Sequence, residues 1–323
     1  MKNCTVWKLF YCKAKQIKFI FFICYILFCL NSCNQKNEGE PYYKSYKSAK
    51  AKFELGDYSG GISDYSKSIE LNPNFDSAYF WRGVAKLGSA DYNGAKEDFT
   101  KFIEDVPDSY AAYFNRGNSK SALVDYQGAI SDYSKAIEIH PNDPLFYSLR
   151  GDVKRKLEDY SGSIADYNRA IEIDNTFIDS YCNRGNSKLN LKDYSGAISD
   201  YSKAIELSPS DVDLYNNRGC AKMNLGDFTG AISDYTKVLL LDKNSLDGYC
   251  NRGNSKHYLD DFQGAISDYN MAIALYPNVA LSYYLRGLSK YSSGDKIGAC
   301  VDYKRSLELG YNEATATIQS DCN

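Results

Sequence analysis

The chain has 323 residues, with 38 basic against 41 acidic side chains and 30 tyrosines among its aromatics. That length admits two ordinary domains or one long array, and a chain so rich in Tyr yet holding two His, two Trp and three Met is unlike most globular enzymes. The acidic balance, with no basic stripe, argues against nucleic acid as a partner, because such binding rests on neutralising phosphates.

The first element is a leader. Lys2, Lys8, Lys13, Lys15 and Lys18 precede the apolar run Phe19–Leu30, and no acid occurs before Glu38. A basic segment followed by a short apolar core reads as an export signal. A stable membrane span would need roughly 17–25 apolar residues. The run ends in Leu30-Asn31-Ser32-Cys33, which resembles a bacterial lipobox with an unusual Asn31. The expectation is a signal over 1–32 that is removed, lipid on Cys33 and a linker over 33–41. Plain cleavage and an uncleaved anchor are the alternatives. The resemblance implies a cell-envelope location on a bacterial membrane, with Asn34 favouring the outer one. Without its leader the chain has 33 bases against 41 acids, a net of −8.

Beyond the leader one period governs the chain. The hexapeptide NRGNSK stands at 115–120, 183–188 and 251–256, and the same frame aligns units 42–75, 76–109, 110–143, 144–177, 178–211, 212–245, 246–279 and 280–313. Fixed internal periodicity predicts stacked supersecondary units. In the unit from Tyr110 the recurring residues are Tyr113, Gly117, Ala129, Tyr133, Ala136 and Pro141. This pattern resembles the tetratricopeptide repeat (TPR), and the resemblance covers 42–313. It departs at Asn175, Lys243 and Tyr311, where proline is replaced, and at Lys296, where the other units carry an aromatic. The resemblance implies an all-α fold, an α-solenoid (right-handed superhelix) of eight helix–turn–helix units, closed by a short capping segment over 314–323.

Within each unit Asp57, Asp91, Asp125, Asp159, Asp193, Asp227, Asp261 and Asp295 open the second helix, where a carboxylate caps free amides. Three further places are charged where the family commonly has Leu or Tyr. Seven units have Arg, from Arg82 to Arg286, all eight have Lys, and all eight have Asp just before the core aromatic, from Asp64 to Asp302. Charges at half-buried packing places must be paired. A ladder of Arg/Lys–Asp contacts is therefore expected. Its recurrence in every unit speaks against catalysis.

The face of the first helix offset from the packing stripe lines the partner groove in TPR arrays. The resemblance therefore makes these the candidate peptide-binding positions. They run from aromatic (Trp81, Phe114) through an asparagine zone (Asn115, Asn118, Asn183, Asn186, Asn217, Asn251, Asn254), interrupted by Leu149, Asp152 and Arg155, to Tyr284. Asp179, Asp213 and Asp247 edge the zone and favour a neutral or basic ligand. An Asn amide donates and accepts, which suits a peptide backbone of any sequence. The zone looks like the asparagine ladder of large TPR superhelices; solvated polar surface is the alternative. The carboxylate clamp of chaperone-binding TPRs needs Lys where this chain has Phe114, Ser148, Cys182, Asn216 and Cys250.

For catalysis the inventory is thin. His140 and His257 are more than three repeats apart, and no P-loop, GxSxG or HExxH occurs. No CxxC pair suggests a metal; Cys300 and Cys322 are the candidate disulfide, with small buried thiols the equal alternative. The expectation is a non-enzymatic adaptor without cofactor or metal, holding an extended protein segment. The alternative is a structural subunit of an envelope complex, or a homodimer, that uses convex or terminal surfaces.

Overall fold

The computed structural model describes residues 39–322. The signal, Cys33 and the linker up to 38 lie outside the described residues. Among the described residues there are only helices: α1 (Pro41–Glu54), α2 (Tyr58–Leu71), α3 (Asp76–Gly88), α4 (Tyr92–Asp105), α5 (Tyr110–Ala122), α6 (Tyr126–Ile139), α7 (Pro144–Lys156), α8 (Tyr160–Ile173), α9 (Ile178–Asn190), α10 (Tyr194–Leu207), α11 (Val212–Leu225), α12 (Phe228–Leu241), α13 (Leu246–His257), α14 (Phe262–Leu275), α15 (Ala280–Ser292), α16 (Lys296–Glu308) and α17 (Ala314–Asp321). They form an all-α solenoid of repeats, each repeat a pair of helices. None is long and apolar enough to cross a membrane. The chain falls into two compact units, one ending at Ser180 and the other starting at Tyr181. They are called here the N-terminal and C-terminal units.

Each repeat is built by the same local devices. The Asp before every second helix accepts from the backbone N–H of the Gly three residues on, as Asp125 does from Gly128 at 3.0 Å and Asp227 from Gly230 at 2.8 Å. The same cap holds at Asp57, Asp91, Asp159, Asp193, Asp261 and Asp295. One residue earlier the chain turns through the left-handed region, at Gly56, Gly226 and Gly294 but also at Ala90, Val124, Glu158, Lys192 and Asp260.

Packing between the two helices of a repeat rests on glycine against an aromatic ring. A Cβ added at Gly117 would lie 2.8 Å from the Tyr133 ring, and at Gly219 2.8 Å from Tyr235. These rings, with Tyr65, Tyr167, Tyr201, Tyr269 and Tyr303, are the largest fully buried side chains. In the N-terminal unit an aromatic cluster joins Tyr43, Tyr46, Phe80, Trp81 and Phe99. In the C-terminal unit α17 closes the stack: Ala314 is buried, and Ile318 and Cys322 pack against Tyr284 and Tyr303. Cys300 and Cys322 are joined in a disulfide, so the last repeat is stapled to this helix.

The expected charge ladder resolves into separate triads, one inside each repeat from the second to the eighth. Seven times, Arg bonds through Nε and Nη2 to both oxygens of the Asp, while Lys takes one of them. Arg218 reaches Asp234 at 3.0 and 2.6 Å, and Lys222 at 2.9 Å. The Asp side chains are only 3–5% exposed. Each guanidinium also lies over the Tyr three residues before it, as Arg116 does over Tyr113 at 5.4 Å to the ring centroid. Its bonds to Asp132 hold the Arg116 guanidinium above its ordinary pKa. The third arm, Nη1, turns back to the second helix of the preceding repeat: Arg82 to Ser66, Arg116 to Thr100 and Arg150 to Ser134 in one unit, Arg218 to Ser202, Arg252 to Thr236 and Arg286 to Asn270 in the other. Within each unit the triads therefore bind their own repeat and clip it to its predecessor.

Candidate functional site

The hexapeptide NRGNSK shows how much of the first helix is spent on scaffold. Its Arg and Lys enter the triad, and its Gly admits the ring. The Ser Oγ donates to the carbonyl of the first Asn, as Ser119 does to Asn115, Ser187 to Asn183 and Ser255 to Asn251, at 2.9–3.0 Å. The second Asn accepts the buried tyrosine hydroxyl: Tyr133 donates to Asn118, Tyr201 to Asn186 and Tyr269 to Asn254, at 2.7–2.8 Å. From the second repeat to the seventh this place follows the ring. Asp152 accepts from Tyr167 at 2.7 Å, and Val84 accompanies Phe99, which has no hydroxyl to satisfy. In the last repeat Leu288 stands there, and the buried Tyr303 hydroxyl has no partner. Of the six residues the first Asn is the one that takes no part in the triad, the ring contact or the tyrosine hydrogen bond.

The first asparagines are more deeply set than a groove lining. Asn115, Asn183, Asn217 and Asn251 are 2–7% exposed. Asn115 turns its Nδ2 onto the Ala111 carbonyl one turn back, at 2.9 Å. In the C-terminal unit three amide atoms are buried without a hydrogen-bond partner: Asn186 Nδ2 on α9, Asn216 Oδ1 on α11 and Asn251 Oδ1 on α13. Asp213 and Asp247 stand partly exposed at the starts of α11 and α13, and burial pushes the Asp247 carboxyl above the usual range. In the N-terminal unit the partly exposed candidates are Asn118 and Asp179.

The aromatic ends of the row are corrected by the structure. Trp81 is 3% exposed and meets Phe53 and Phe80 edge-on. Phe114 packs on Phe146 with centroids 4.9 Å apart, and Tyr284 packs on Tyr303 and Tyr311 while its hydroxyl meets Thr317 at 3.1 Å. All three are core residues. Trp81 is two residues before Gly83, and Phe114 and Tyr284 are three before Gly117 and Gly287; these places fall where the first helices of successive repeats meet, as α1 meets α3 and α13 meets α15.

The nucleophilic and basic groups have structural surroundings. His140 stacks on Tyr110 at 4.7 Å, and His257 Nδ1 lies 2.8 Å from Ser289 Oγ, with burial lowering its pKa. Burial pushes the Cys250 thiol up to about 12, which makes it a poor nucleophile. Among the described residues no group of His, Cys, Asp or Glu is placed to hold a metal ion.

A stack of two-helix repeats, each closed by its own cap and triad and offering a row of side chains on its first helices, defines a helical-repeat protein. Family models described as "TPR repeat" match 49–88 and 151–192, and models described as "Tetratricopeptide repeat" match 77–109, 110–143, 178–211 and 212–245. Together they span more than half the chain, and the chain belongs to the tetratricopeptide repeat family. None of these models describes a catalytic family. No curated protein matches the sequence. Among solved structures, the C-terminal part of a TPR repeat-containing protein from Cytophaga hutchinsonii is 21% identical, with 73% of this chain and 98% of that one covered at a TM-score of 0.65. YrrB, described as a TPR protein with an unusual peptide-binding site, is 18% identical over 58% of this chain and 97% of its own, at 0.51. The APC/C hetero-tetramer Cut9–Hcn1 is 17% identical over 96% of this chain and 60% of that one, at 0.52. At these identities the likeness is one of fold.

Proposed function

We propose that the chain is a membrane-anchored protein–protein adaptor, held in the cell envelope by lipid on Cys33, whose first-helix face binds an extended segment of a partner. The observation that carries the reading is that three first-helix amides of the C-terminal unit, at different places of their repeats, have buried atoms without partners: Asn186 Nδ2, Asn216 Oδ1 and Asn251 Oδ1. A buried polar atom left unpaired costs about 1–3 kcal/mol. A peptide backbone offers a donor and an acceptor in every residue, so it can meet such atoms irrespective of sequence. Asp213 and Asp247 beside them favour a neutral or basic segment. In the N-terminal unit the corresponding contacts are Asn115, Asn118 and Asp179. YrrB, with its peptide-binding site, and the Cut9–Hcn1 assembly support the same class of role. The Cys300–Cys322 disulfide supports a compartment outside the reducing cytoplasm.

The test is capture of partners from the native envelope by wild type and by Asn186→Ala/Asn216→Ala/Asn251→Ala, once circular dichroism has shown the variant to be folded. A partner held by the wild type and lost by the variant supports the reading; an unchanged set of partners rejects it. The anchor is tested separately. Mass spectrometry should find acyl chains on Cys33, and Cys33→Ala should move the protein to the soluble fraction.

A further inference from the structure

The repeats act as internal controls for one another, and one surface fails the control. On α14 the buried residues are Ala265, Asp268, Tyr269 and Ala272, which fixes the opposite face as outward. In five repeats that outward face carries an ion pair one turn apart, Lys101–Glu104, Lys135–Glu138, Arg169–Glu172, Lys203–Glu206 and Arg305–Glu308, and the first has Lys67 and Glu70 at the same places. At the same places the sixth repeat has Lys237 and Leu240, and the seventh has Met271 and Ala274. One to two turns earlier on this face the eighth repeat has Ile297 and Val301, where the fifth to seventh carry Ser, Thr or Gln. The exposures are 69% for Leu240, 44% for Met271, 84% for Ile297 and 61% for Val301. Terminal repeats ordinarily turn a polar face outward.

The four large residues and Ala274 form a band that descends obliquely across α12, α14 and α16. It falls by about 14 Å along the helix axes while crossing two inter-repeat steps of about 10 Å each. The band is thus inclined at roughly 55° to the helices beneath it, close to the commonest angle of about 50° at which one helix packs across others. Its charges also point one way. Replacing Glu by Leu240 leaves Lys237 without a carboxylate partner among the described residues, and Lys304, exposed beside Val301, has none either. A second copy docked face to face would bring these lysines together. We propose that this band docks an amphipathic helix of another protein, one whose apolar stripe is flanked by Asp or Glu. The proposal is independent of the first-helix face, whose ligand is extended and neutral or basic.

The test is selection of displayed helix-forming peptides on the purified full-length chain, with affinities read by fluorescence anisotropy. The comparison protein restores the sister repeats' residues: Leu240→Glu, Met271→Lys, Ala274→Glu, Ile297→Ser and Val301→Ser. These are residues the same fold already carries at those places, and a thermal melt checks that the variant is folded. The expected result is that selected peptides carry an apolar stripe at helical spacing with acidic flanks, and bind the restored chain at least about tenfold more weakly. Salt should weaken them, and Asn217→Ala/Asn251→Ala should leave them unchanged. The proposal is overturned if no such peptides emerge, or if they bind both chains alike. It is also overturned if the band instead drives dimerisation in sedimentation, or binding to phosphatidylethanolamine–phosphatidylglycerol vesicles.

Discussion

The first and third repeats share one 34-residue frame in the N-terminal unit but solve its central problem differently. In the third, Arg116 and Lys120 enclose Asp132, whose side chain is 4% exposed. In the first, Ser48 stands where Arg would be and donates to Asp64 at 2.6 Å, while Lys52 pairs with Asp64 at 2.7 Å. There the carboxylate is 21% exposed and the Lys 40%. The guanidinium is thus what seals the triad, by filling the volume over Tyr113 and occupying both carboxylate oxygens. The first repeat is also more permissive elsewhere. It has Ala49 where the third has Gly117, and Gly56 where the third has Val124.

The largest test of this difference removes the acid. Asp132→Ala leaves two cations at a half-buried place and should cost about 3–5 kcal/mol, whereas Asp64→Ala breaks an exposed pair and should cost about 1 kcal/mol or less. Urea unfolding of both variants reads the contrast, and equal losses would mean that burial does not separate the two sites. Replacing the whole third triad by apolar residues, Arg116→Leu/Lys120→Tyr/Asp132→Leu, should by contrast be neutral or stabilising, since desolvating the ions then costs nothing.

Next in size is the ring contact. Gly117→Ala drives a methyl into Tyr133 and should lose about 1–3 kcal/mol, while Ala49→Gly in the first repeat should lose only about 0.5–1 kcal/mol through helix entropy. A reversed order would sink the packing argument. Smaller still is the turn. Val124 is β-branched with φ at 65°, so Val124→Gly should raise stability by roughly 1 kcal/mol, and Gly56→Val should lower it. Both are read as shifts in the melting midpoint.

The last comparison is between the third and fourth repeats, through Asn118 and Asp152. Burial raises the Asp152 carboxyl above its ordinary range, against the pull of the Tyr167 hydroxyl and the Arg155 charge. Between the unfolded value and this raised one, the folded chain keeps a proton that the unfolded chain has released. Stability contributed there is full below the ordinary Asp range and is lost as pH rises through the raised value. Asp152→Asn should remove that loss, so its advantage over wild type should widen from acid to neutral pH. Parallel melting profiles would rule this out.

Eight copies of one unit made the architecture legible. Caps, glycines and paired charges each recur at one place, and their chemistry leaves few alternatives. The candidate site was less legible, because helical periodicity marks the centre of a buried face but not its width. Trp81 is covered by Phe53 of α1, Phe114 by Tyr133 of α6 and Phe146 of α7, and Tyr284 by Tyr303 of α16 and Thr317 of α17, so a residue beside the stripe is still core. One signal could have revealed the role of Asn118, Asn186 and Asn254. From the second repeat to the seventh, the residue fifteen before the core aromatic changes with the ring, as Val84 with Phe99 shows.

Within each unit the backward bond of the arginines gives the repeats a polarity. A repeat brings its own plug, the Nη1 arm, and needs a socket, the Ser, Thr or Asn oxygen on the repeat before it. The first repeat has a socket in Ser66 but, with Ser48, no plug. The eighth has a plug in Arg286 but carries Lys304 where a socket would be, a group that can only donate. Copying an interior unit in frame would therefore yield a longer array with every joint made. Appending one after the eighth would meet an ammonium group where its arginine needs an oxygen.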